Sequence, residues 1–461
     1  MFATVMAAIM PTLTESLALE RSRFAANPYP SAKDRIAVLS LLIERLLARQ
    51  NDIAAALDSD FCGRSRMEVM YSEVLVSLSA LRDARNHVKH WMKQRDVPLN
   101  WPMQPASAWV LPQPIGVVGV VSPWNYPLFL TMGPLAGIIA AGNRVMLKPS
   151  ETTPAFSRLL SELLDGIGTV IEGDGEVAKQ FTALPFDHLL FTGSTETGRA
   201  VMRAAAENLT PVTLELGGKS PVLIAADANL RRAAGAIIYG KLLNSGQTCV
   251  APDYILVPRA SLDEFAQLLL KEADRQYPGG DGSTAIVNER QFNRLWSMLE
   301  QVRASGTRVL GGERREGRRI APAIIIDPAP DAAVMQQEIF GPLLPLVPYG
   351  DIGEAISYIN QRPRPLALYL FTANSKLIAR VLRQTISGGV CINDTILQIV
   401  AEGLPFGGIG PSGMGFYHGR AGFDTFSKLK PVFRRRGIGL NRLLFPPYGR
   451  IHQLLKKILI D

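Results

Sequence analysis

The N-terminal part of the chain shows the hydrophobic spacing of amphipathic helices. Between positions 39 and 47, leucine and isoleucine recur at intervals of three and four residues, which places them on one helical face. Ser31 precedes this stretch, and Asp34 stands three positions after Ser31, an arrangement similar to a helix capping box. The pattern predicts helices from Ser31 to about position 91.

From Gly116 onward, short apolar runs alternate with apolar segments of helix length. The predicted strands are 116–123, 144–150 and 188–194, and the predicted helices are 128–141, 156–164 and 197–207. Strands and helices in strict alternation are typical of a parallel, doubly wound sheet with right-handed crossovers.

A second alternating set follows the first. Its predicted strands lie within 211–225 and at 253–258, 284–288, 367–371 and 388–394, and its predicted helices are 230–243, 262–274 and 291–305. The fold class is therefore predicted as α/β, with two doubly wound domains. The proline-rich segment 97–114 suits an extended hairpin or arm better than a core strand.

Composition and charge narrow the class of protein. The chain has 461 residues, of which 47% are hydrophobic and 20% charged, enough to bury a large core in two or three domains. Residues 431–461 hold seven of the 49 Lys and Arg residues and one acidic residue, which leaves 42 basic and 40 acidic residues in the first 430. A nearly neutral body does not indicate a nucleic-acid-binding protein.

The three cysteines and five histidines show no metal-ligand spacing, so no metal is predicted. So few cysteines fit a reducing compartment better than a disulfide framework. The apolar N-terminal segment 1–10 lacks the positive leading region of a signal peptide. No apolar run reaches the length of about 18 residues that a membrane span needs. We therefore expect a cytoplasmic protein.

Two polar stretches follow predicted strands of the first set. Gly193 and Ser194 lie at a strand-to-helix turn, where helix N-H groups can meet a pyrophosphate. Lys148 and Glu151 follow the neighbouring strand, and a lysine with a carboxylate can hold ribose hydroxyls. A dinucleotide site is the functional interpretation; a tight turn and an incidental ion pair are the alternative.

Cys249 lies in the segment NSGQTCVAPD, directly after a predicted helix. Its small and polar neighbours leave the thiol accessible, so it is a candidate nucleophile that needs an activating group. For Cys62 and Cys391 we favour the ordinary role of a small buried residue.

Two further side chains complete a candidate catalytic set. Asn125, held between two prolines after the first strand, could donate to a developing oxyanion or simply form a turn. Glu215 lies between apolar neighbours in TLELGGKS, where desolvation raises a carboxyl pKa toward that of a general base; the alternative is a solvent-facing strand residue. The same segment lacks the glycine at position 213 that a phosphate-binding loop requires.

Seven motifs in order resemble those of the aldehyde dehydrogenase superfamily: SPWNYP, LKPSE, FTGSTETG, LELGGKSP, NSGQTC, QQEIFGPLLP and LPFGGIGPSGMG. The match covers nearly the whole chain, from about residue 17 to 433. Other segments, including RPLALYLF and GMGFYHGRAGFDTFS, are similar to the class 3 branch, and SPWNYP with KPVF and LLFPPYG is most similar to bacterial coniferyl aldehyde dehydrogenases.

The resemblance implies residue roles for the cofactor NAD, with NADP as an alternative. It makes Cys249 the nucleophile, Asn125 with the Cys249 amide the oxyanion hole, and Glu215 the base. The implied cofactor contacts are Lys148 and Glu151 at the adenosine ribose, Gly193 and Ser194 at the pyrophosphate, Glu338 and Phe340 at the nicotinamide ribose, and Trp124 beside the adenine. The implied reaction is oxidation of an aldehyde through a thiohemiacetal and a thioester.

The resemblance also implies an NAD-binding domain at 1–211 with the bridging hairpin 97–114, a catalytic domain at 212–400, a return segment at 401–435, and a homodimer. The basic tail 436–461 either packs across such a dimer or associates weakly with an anionic membrane. An aromatic substrate similar to coniferaldehyde is favoured, and a medium-chain or long-chain aliphatic aldehyde is the alternative. A CoA-acylating enzyme would not need Glu215, and a catalytically silent nucleotide-binding relative would not need the catalytic set.

Overall fold

The computed structural model describes residues 12–280, 282–437, 442 and 445–460. The N-terminal segment 1–10, predicted not to be a signal peptide, lies outside the described residues, as do several positions of the basic tail. In the part of the chain that is described, no helix is both long and apolar enough to cross a membrane.

The α-helices, in chain order, are α1 (Leu13–Ala26), α2 (Ala32–Ala48), α3 (Gln50–Phe61), α4 (Arg66–Val69), α5 (Val76–Trp91), α6 (Phe129–Ala141), α7 (Pro154–Leu163), α8 (Gly175–Thr182), α9 (Thr195–Ala206), α10 (Leu230–Leu242), α11 (Leu262–Gln276), α12 (Glu289–Ala304), α13 (Ala333–Gln336), α14 (Ile352–Asn360), α15 (Ser375–Gln384), α16 (Gly419–Thr425) and α17 (Arg450–Leu459).

The strands are β1 (Arg95–Val97), β2 (Ala106–Pro114), β3 (Val117–Val121), β4 (Arg144–Lys148), β5 (Thr169–Val170), β6 (His188–Gly193), β7 (Val212–Leu216), β8 (Pro221–Ile224), β9 (Tyr254–Pro258), β10 (Val309–Gly311), β11 (Arg314–Arg315), β12 (Arg319–Ile320), β13 (Ala323–Ile326), β14 (Leu343–Tyr349), β15 (Ala367–Phe371), β16 (Gly389–Ile392), β17 (Gly413–Met414) and β18 (Ser427–Arg435).

The helical opening follows the predicted pattern. Ser31 caps α2 through a capping box with Asp34, whose backbone N-H donates to the Ser31 hydroxyl over 3.2 Å. A six-residue π-helical stretch, Met70–Leu75, joins α4 to α5. Such stretches are frequent at functional sites, and this one faces the site described below.

The first sheet has the order β17-β7-β6-β3-β4-β5 and is parallel except for the β17–β7 pair. The chain enters it at β3, continues outward to β5 and then returns to β6 on the other side. Ligands of open parallel sheets bind at this kind of switch point, beyond the carboxyl ends of the strands. Helix α6 follows β3 in the chain and is buried along its whole length, which fixes the loop between them.

The second sheet has the order β10-β13-β14-β9-β8-β15-β16, parallel except for the β10–β13 pair. A three-stranded antiparallel sheet, β1-β2-β18, joins the proline-rich segment to the end of the chain's body. Strand β2, within the predicted hairpin segment 97–114, thus pairs with β1 on one edge and with the distant strand β18 on the other.

Two details differ from the predicted elements. Strand β7 was assigned to the second set, but it pairs with β6 in the first sheet, because Gly217 and Gly218 interrupt what looks like one apolar run. The chain therefore crosses between the sheets at 217–220. The expected strand at 284–288 is absent, because its backbone instead hydrogen-bonds to the loop before Cys249: Gln247 Nε2 donates to the oxygen of Ala285 over 3.1 Å.

Candidate active site

A cavity of about 280 Å³ lies between the carboxyl ends of the first sheet and the loop that carries Cys249. It brings together most of the residues that the sequence singled out. Those that line it are Trp124, Asn125, Gly193, Ser194, Glu215, Cys249, Glu338 and Phe340. Lys148 and Glu151 do not line this cavity.

A second cavity, of about 500 Å³, meets the first at Cys249 and Leu130, which line both. Its walls are mainly apolar and come from the π-helical stretch with the start of α5, from α6, and from the segment after β16. Representative wall residues are Tyr71, Val76, Phe129, Tyr239 and Ile396. Cys249 is thus accessible from a cavity of mixed polar and apolar lining on one side and from a mainly apolar cavity on the other.

The loop before Cys249 has an unusual backbone. Asn244 and Ser245 both have φ of 52°, and Gly246 has φ of 77°. The left-handed region costs a residue with a side chain roughly 1–2 kcal/mol, so other contacts must hold this loop. Ser245 Oγ donates to the Thr284 oxygen, and the Asn244 backbone N-H donates to Glu68 Oε1 over 2.7 Å.

The buried Gln247 side chain adds three more hydrogen bonds to this loop. Its Nε2 donates to the oxygens of Asn244, over 3.0 Å, and Ala285, over 3.1 Å, and its Oε1 accepts from the Val287 N-H over 2.9 Å. Because both the nitrogen and the oxygen of this amide are hydrogen-bonded, the side chain fixes the loop in one conformation. The position of Cys249 is therefore set before any ligand binds.

Asn125 follows β3 and is tied to the same loop. Its Nδ2 donates to the Gln247 oxygen over 3.1 Å, while Asn244 Nδ2 donates to the Asn125 oxygen over 2.9 Å. The hydroxyls of Tyr126 and Thr248 hydrogen-bond over 2.7 Å. Because an amide nitrogen carries two hydrogens, Asn125 retains one N-H for a group in the cavity.

Cys249 and Glu215 both lose their protons less readily in this environment than in water. Burial, with the nearby carboxyls of Glu338 and Glu215, raises the pKa of the Cys249 thiol to about 12. Burial also raises the pKa of Glu215 well above its ordinary value. Neither carboxyl oxygen of Glu215 has a hydrogen-bond partner among the described residues. A buried carboxyl without partners is unusual and marks Glu215 as a group available to react.

Glu338 reaches the cavity from the segment before β14. Burial raises its pKa to about 7, and its Oε1 has no hydrogen-bond partner among the described residues. A Cβ on Gly217 would lie 2.1 Å from Glu338 Oε2, so a larger residue there would displace this carboxyl. An acceptor oxygen with no partner, held at the wall of this cavity, is suited to the hydroxyls of a ribose.

The lysine of the GGKS segment fixes the segment that carries Glu338. Lys219 pairs with Asp253 and donates to the oxygens of Val334, over 2.8 Å, and Gln337, over 2.9 Å. Asp253 also accepts from the Ile339 N-H over 3.0 Å. All donors that Lys219 offers are therefore used within the protein, which agrees with the prediction that it is not a phosphate-binding lysine.

The turn at Gly193 and Ser194 leads into α9. The Ser194 hydroxyl caps the helix by accepting from the Thr197 N-H over 3.2 Å, and the first N-H groups of a helix have no partner within it. A Cβ on Gly193 would lie 2.5 Å from the ring of Phe191. These features fit a phosphate group.

Lys148 and Glu151 lie farther along the same sheet edge. The Lys148 Nζ donates to the Pro149 oxygen over 2.7 Å and lies 3.8 Å from a Glu151 carboxylate oxygen. Burial lowers the pKa of Lys148. Glu151 lines a smaller cavity, of about 170 Å³, together with Glu172.

Trp124 lies in the same cavity as Cys249. Its ring lies edge-on to Phe340, with centroids 5.4 Å apart, and it lines the cavity of Cys249 rather than that of Glu151. The reason is its position in the chain: it directly precedes Asn125, whose amide is bonded to the loop of Cys249.

Some residues of the site were not predicted. Tyr417 lines the cavity with a buried hydroxyl that has no partner among the described residues, and Arg294 donates to the oxygen of Ile339 over 2.7 Å. Tyr417 lies in the motif GMGFYHG, but no local signal distinguishes it from a core aromatic residue. Within the described ranges, no group of three or more His, Cys, Asp or Glu side chains is arranged to hold a metal.

Comparison with known proteins places this geometry in a family context. The sequence model of the Aldehyde dehydrogenase family matches residues 17–432. A probable coniferyl aldehyde dehydrogenase of Pseudomonas aeruginosa is 48% identical over 454 residues, 96% of this chain and 95% of that protein. Aldehyde dehydrogenase family 3 member A2 of Pongo abelii is 41% identical over 93% of this chain and 90% of that protein. The resemblance drawn from the motifs is confirmed.

Two solved structures support the fold and the cofactor class. The substrate-bound state of Staphylococcus aureus AldH superposes with a TM-score of 0.91 at 36% identity, covering 97% of this chain and 100% of that one. An aldehyde dehydrogenase of Mycobacterium tuberculosis complexed with NAD+ gives a TM-score of 0.84 at 28% identity, covering 93% and 90%. The predicted α/β fold class is thereby confirmed.

Proposed function

The chain belongs to the aldehyde dehydrogenase family and is an NAD(P)-dependent aldehyde oxidoreductase, and from this premise we propose which residues carry the reaction and which aldehyde is oxidised. Cys249 is the nucleophile, Asn125 with the Cys249 backbone N-H stabilises the oxyanion, and Glu215 is the base. One observation carries this assignment: the three side chains line one cavity.

In the first half of the reaction, the Cys249 sulfur bonds to the aldehyde carbon, and the carbonyl oxygen becomes an oxyanion. The thiol proton is released to solvent, so that Glu215 remains available for the second half of the reaction. The oxyanion receives hydrogen bonds from the free N-H of Asn125 and from the Cys249 backbone, contacts that are typically worth about 3–4 kcal/mol per donor. Because Gln247 fixes the Asn125 amide, little reorganisation is needed when the charge forms.

When bound, NAD accepts the hydride that leaves the former aldehyde carbon, so that Cys249 holds a thioester. Glu215 then takes a proton from water, whose oxygen attacks the thioester. The carboxylic acid is released, and the proton held by Glu215 passes to the departing Cys249 sulfur. The raised pKa of Glu215 makes its carboxylate a stronger base once it is ionised.

The cofactor contacts follow from the side chains that the site leaves without partners. Glu338 accepts hydrogen bonds from the hydroxyls of the nicotinamide ribose, beside Phe340. The turn at Gly193 and Ser194 holds the pyrophosphate. Lys148 and Glu151 hold the adenosine ribose. Trp124 contacts Phe340 and shields the nicotinamide end. Glu151 and Glu172 line the adenosine-side cavity together, and two carboxylates there repel a 2′-phosphate, so NAD is preferred over NADP.

We propose an aromatic substrate similar to coniferaldehyde. The cavity beyond Cys249 is large and mainly apolar. Four of its lining residues carry hydroxyls: Tyr71, Ser72, Ser79 and Tyr239. Such a cavity suits an aromatic ring that carries its own hydroxyl. The relative named as a probable coniferyl aldehyde dehydrogenase supports the same choice. A medium-chain or long-chain aliphatic aldehyde is the second candidate, because most of the lining is apolar.

The test is the kcat/KM of the purified protein for coniferaldehyde, benzaldehyde and a medium-chain aliphatic aldehyde, with NAD and with NADP. The proposal expects coniferaldehyde to be the best of the three and NAD the better cofactor. A higher kcat/KM for the aliphatic aldehyde would assign the cavity to alkyl chains instead.

We propose the following organisation of the chain. The first sheet and its helices form the cofactor domain, which ends at Leu216 rather than at 211, and the second sheet forms the catalytic domain, which ends near 400. The three-stranded sheet, with segment 401–435, is a bridging element for a homodimer. Its strand β18 exposes Leu429 and Phe433, which suits burial against a second copy of the chain. Size-exclusion chromatography with light scattering tests the dimer.

The tail supports a further proposal about location. Helix α17 exposes Ile451 and Leu454 and has Lys456 and Lys457 in its last turn, a composition suited to weak contact with an anionic membrane surface. We place the enzyme in the cytoplasm, where its three free cysteines stay reduced. Flotation of full-length protein and of a truncation after residue 435 with anionic vesicles tests the tail; equal flotation of the two would leave packing across the dimer as its role.

A further inference from the structure

A fully buried ion pair lies behind the proposed active site, on the segment that joins α3 to α5. Arg64 Nη1 and Glu73 Oε1 are 2.9 Å apart, and both side chains have no exposed area. The Arg64 guanidinium also lies over the ring of Tyr126, 5.1 Å from its centroid. A buried pair of charges stabilises a fold only weakly, because desolvation offsets most of the attraction, so its presence needs another explanation.

The second oxygen of Glu73 makes contacts that point to the site. Glu73 Oε2 accepts hydrogen bonds from the backbone N-H groups of Leu128, over 3.1 Å, and Phe129, over 2.8 Å. These are N-H groups at the start of α6, which have no acceptor within the helix. A carboxylate at a helix N-terminus is also favoured by the helix dipole. Glu73 therefore caps α6 from a different helix.

The capped end of α6 is also the end of the loop that carries Asn125, three residues before Leu128. The other side of that loop is bonded to the segment before Cys249, through Asn125 and Gln247. Because both ends of this short loop are fixed, the side-chain amide of Asn125 has little freedom to move. Moving the start of α6 would therefore move the Asn125 amide relative to the Cys249 sulfur.

A second buried carboxyl, that of Glu68, accepts a hydrogen bond from the loop before Cys249. Glu68 lies one helical turn before Glu73, and its Oε1 accepts from the Asn244 backbone N-H over 2.7 Å and from Thr284 Oγ1 over 3.2 Å. The segment that contains the π-helical stretch thus contacts both loops of the site through buried carboxyls. The same segment lines the apolar cavity.

We propose that Glu73, held by Arg64, is a positioning residue of the reaction: by capping α6 it sets the Asn125 amide in register with Cys249 for oxyanion binding. This rests on the proposed role of Asn125. Glu73 contacts neither the cavity with Glu215 nor the one beyond Cys249, so its effect on the chemistry passes through the Asn125 loop. Its loss is expected to slow thioester formation while leaving NAD binding unchanged.

The test compares Glu73→Gln with Glu20→Gln as a matched control. Glu20 is also fully buried, with a carboxylate oxygen 2.7 Å from Arg144 Nε, but Arg144 begins β4 at the end opposite to Lys148, away from the site. Both changes replace a buried, ion-paired carboxylate by a neutral amide. The readouts are the rate constant of the NADH burst, the NAD dissociation constant and the melting temperature Tm.

The expected result is a burst slowed by about 10- to 100-fold in Glu73→Gln, as for a misplacement of about 1 Å of a catalytic group, with wild-type NAD affinity. Glu20→Gln is expected to lower Tm and keep the wild-type burst rate. An unchanged burst rate in folded Glu73→Gln would overturn the proposal while leaving the reaction scheme intact.

A double-mutant cycle with Asn125→Ala separates positioning from a general loss of structure. If Glu73 acts through Asn125, the variant Asn125→Ala with Glu73→Gln is expected to be no slower than Asn125→Ala alone. Multiplicative losses would overturn the proposal. If Asn125→Ala alone leaves the burst unchanged, the proposed oxyanion role fails first, and the inference fails with it.

A milder variant covers the case in which Glu73→Gln does not fold. Glu73→Asp keeps the charge beside Arg64 but withdraws the carboxylate by about one methylene from Leu128 and Phe129, and it is expected to slow the burst as well. If neither variant folds while Glu20→Gln does, Glu73 serves the fold rather than the site, and the proposal is overturned.

Discussion

The side-chain amide of Asn125 donates to the main-chain oxygen of Gln247 over 3.1 Å. Two segments about 120 residues apart in sequence are thereby joined directly beside Cys249. The donor and the nucleophile thus share one rigid support, so the proposed oxyanion site exists before an aldehyde binds. Preorganisation of this kind is usually the largest single contribution to catalysis of acyl-type reactions.

Replacing the proposed base separates the two halves of the reaction. In Glu215→Gln we expect an NADH burst close to one per active site, followed by turnover reduced by about 10²–10⁴-fold, because water is no longer activated. Stopped-flow absorbance measures both phases. Loss of the steady-state rate without any burst would show that Glu215 is needed before the thioester forms.

The same variant makes a prediction about stability. Burial raises the pKa of Glu215 well above its ordinary value of 4.5, so the folded protein retains this proton to a higher pH than the unfolded chain does. The stability that this group contributes is complete below about pH 4.5 and is lost as the pH rises through the folded pKa. Glutamine cannot ionise, so Glu215→Gln should melt near the wild-type temperature at about pH 4.5 and increasingly above it as the pH rises toward the folded pKa of Glu215. A constant difference in Tm would contradict this.

The Cys249 thiol provides a prediction about pH and reactivity. Burial and two nearby carboxyls raise its pKa to about 12, so in the free enzyme only the small thiolate fraction reacts. The rate of alkylation of Cys249 by iodoacetamide should rise about tenfold per pH unit up to about pH 10. Peptide mass spectrometry distinguishes Cys249 from Cys62 and Cys391. A plateau below about pH 9 would show that the thiol is activated without ligands.

The apolar cavity can be narrowed without touching the catalytic set. Val76 lies in its wall at the start of α5, and Val76→Phe adds bulk there. We expect kcat/KM for coniferaldehyde to fall at least about tenfold, whereas that for propanal should fall less than about twofold, since differences in pocket volume discriminate substrates by such factors. Val76→Ala serves as the control that widens the cavity. Equal losses for both aldehydes would place the substrate elsewhere.

The fold was largely predictable because its strands and helices have the expected periodicities. The strand that carries Glu215 shows the limit. Only residues 217–220 separate its apolar run from that of β8, and nothing local reveals that β7 pairs with β6 in one sheet while β8 pairs with β9 in another. Sheet membership depends on partners distant in sequence, which a hydrophobic pattern does not specify.

The candidate site was predictable where a motif carries it and unpredictable where a distant contact does. Cys249 and Asn125 lie in quoted motifs, whereas Glu68 and Glu73 look like ordinary acidic residues on a helix. Their burial follows only from the approach of α6 and of the loop at Asn244. The left-handed backbone of Asn244 is likewise invisible in the sequence, because it is imposed by those tertiary hydrogen bonds.

The most direct test of the central claim is NADH formation from coniferaldehyde and NAD by the wild-type protein and by Cys249→Ala. We predict turnover by the wild type and none by the variant, which should still bind NAD with wild-type affinity. Turnover by Cys249→Ala at the wild-type rate would contradict the assignment of Cys249 as the nucleophile and, with it, the reaction scheme built on this cavity.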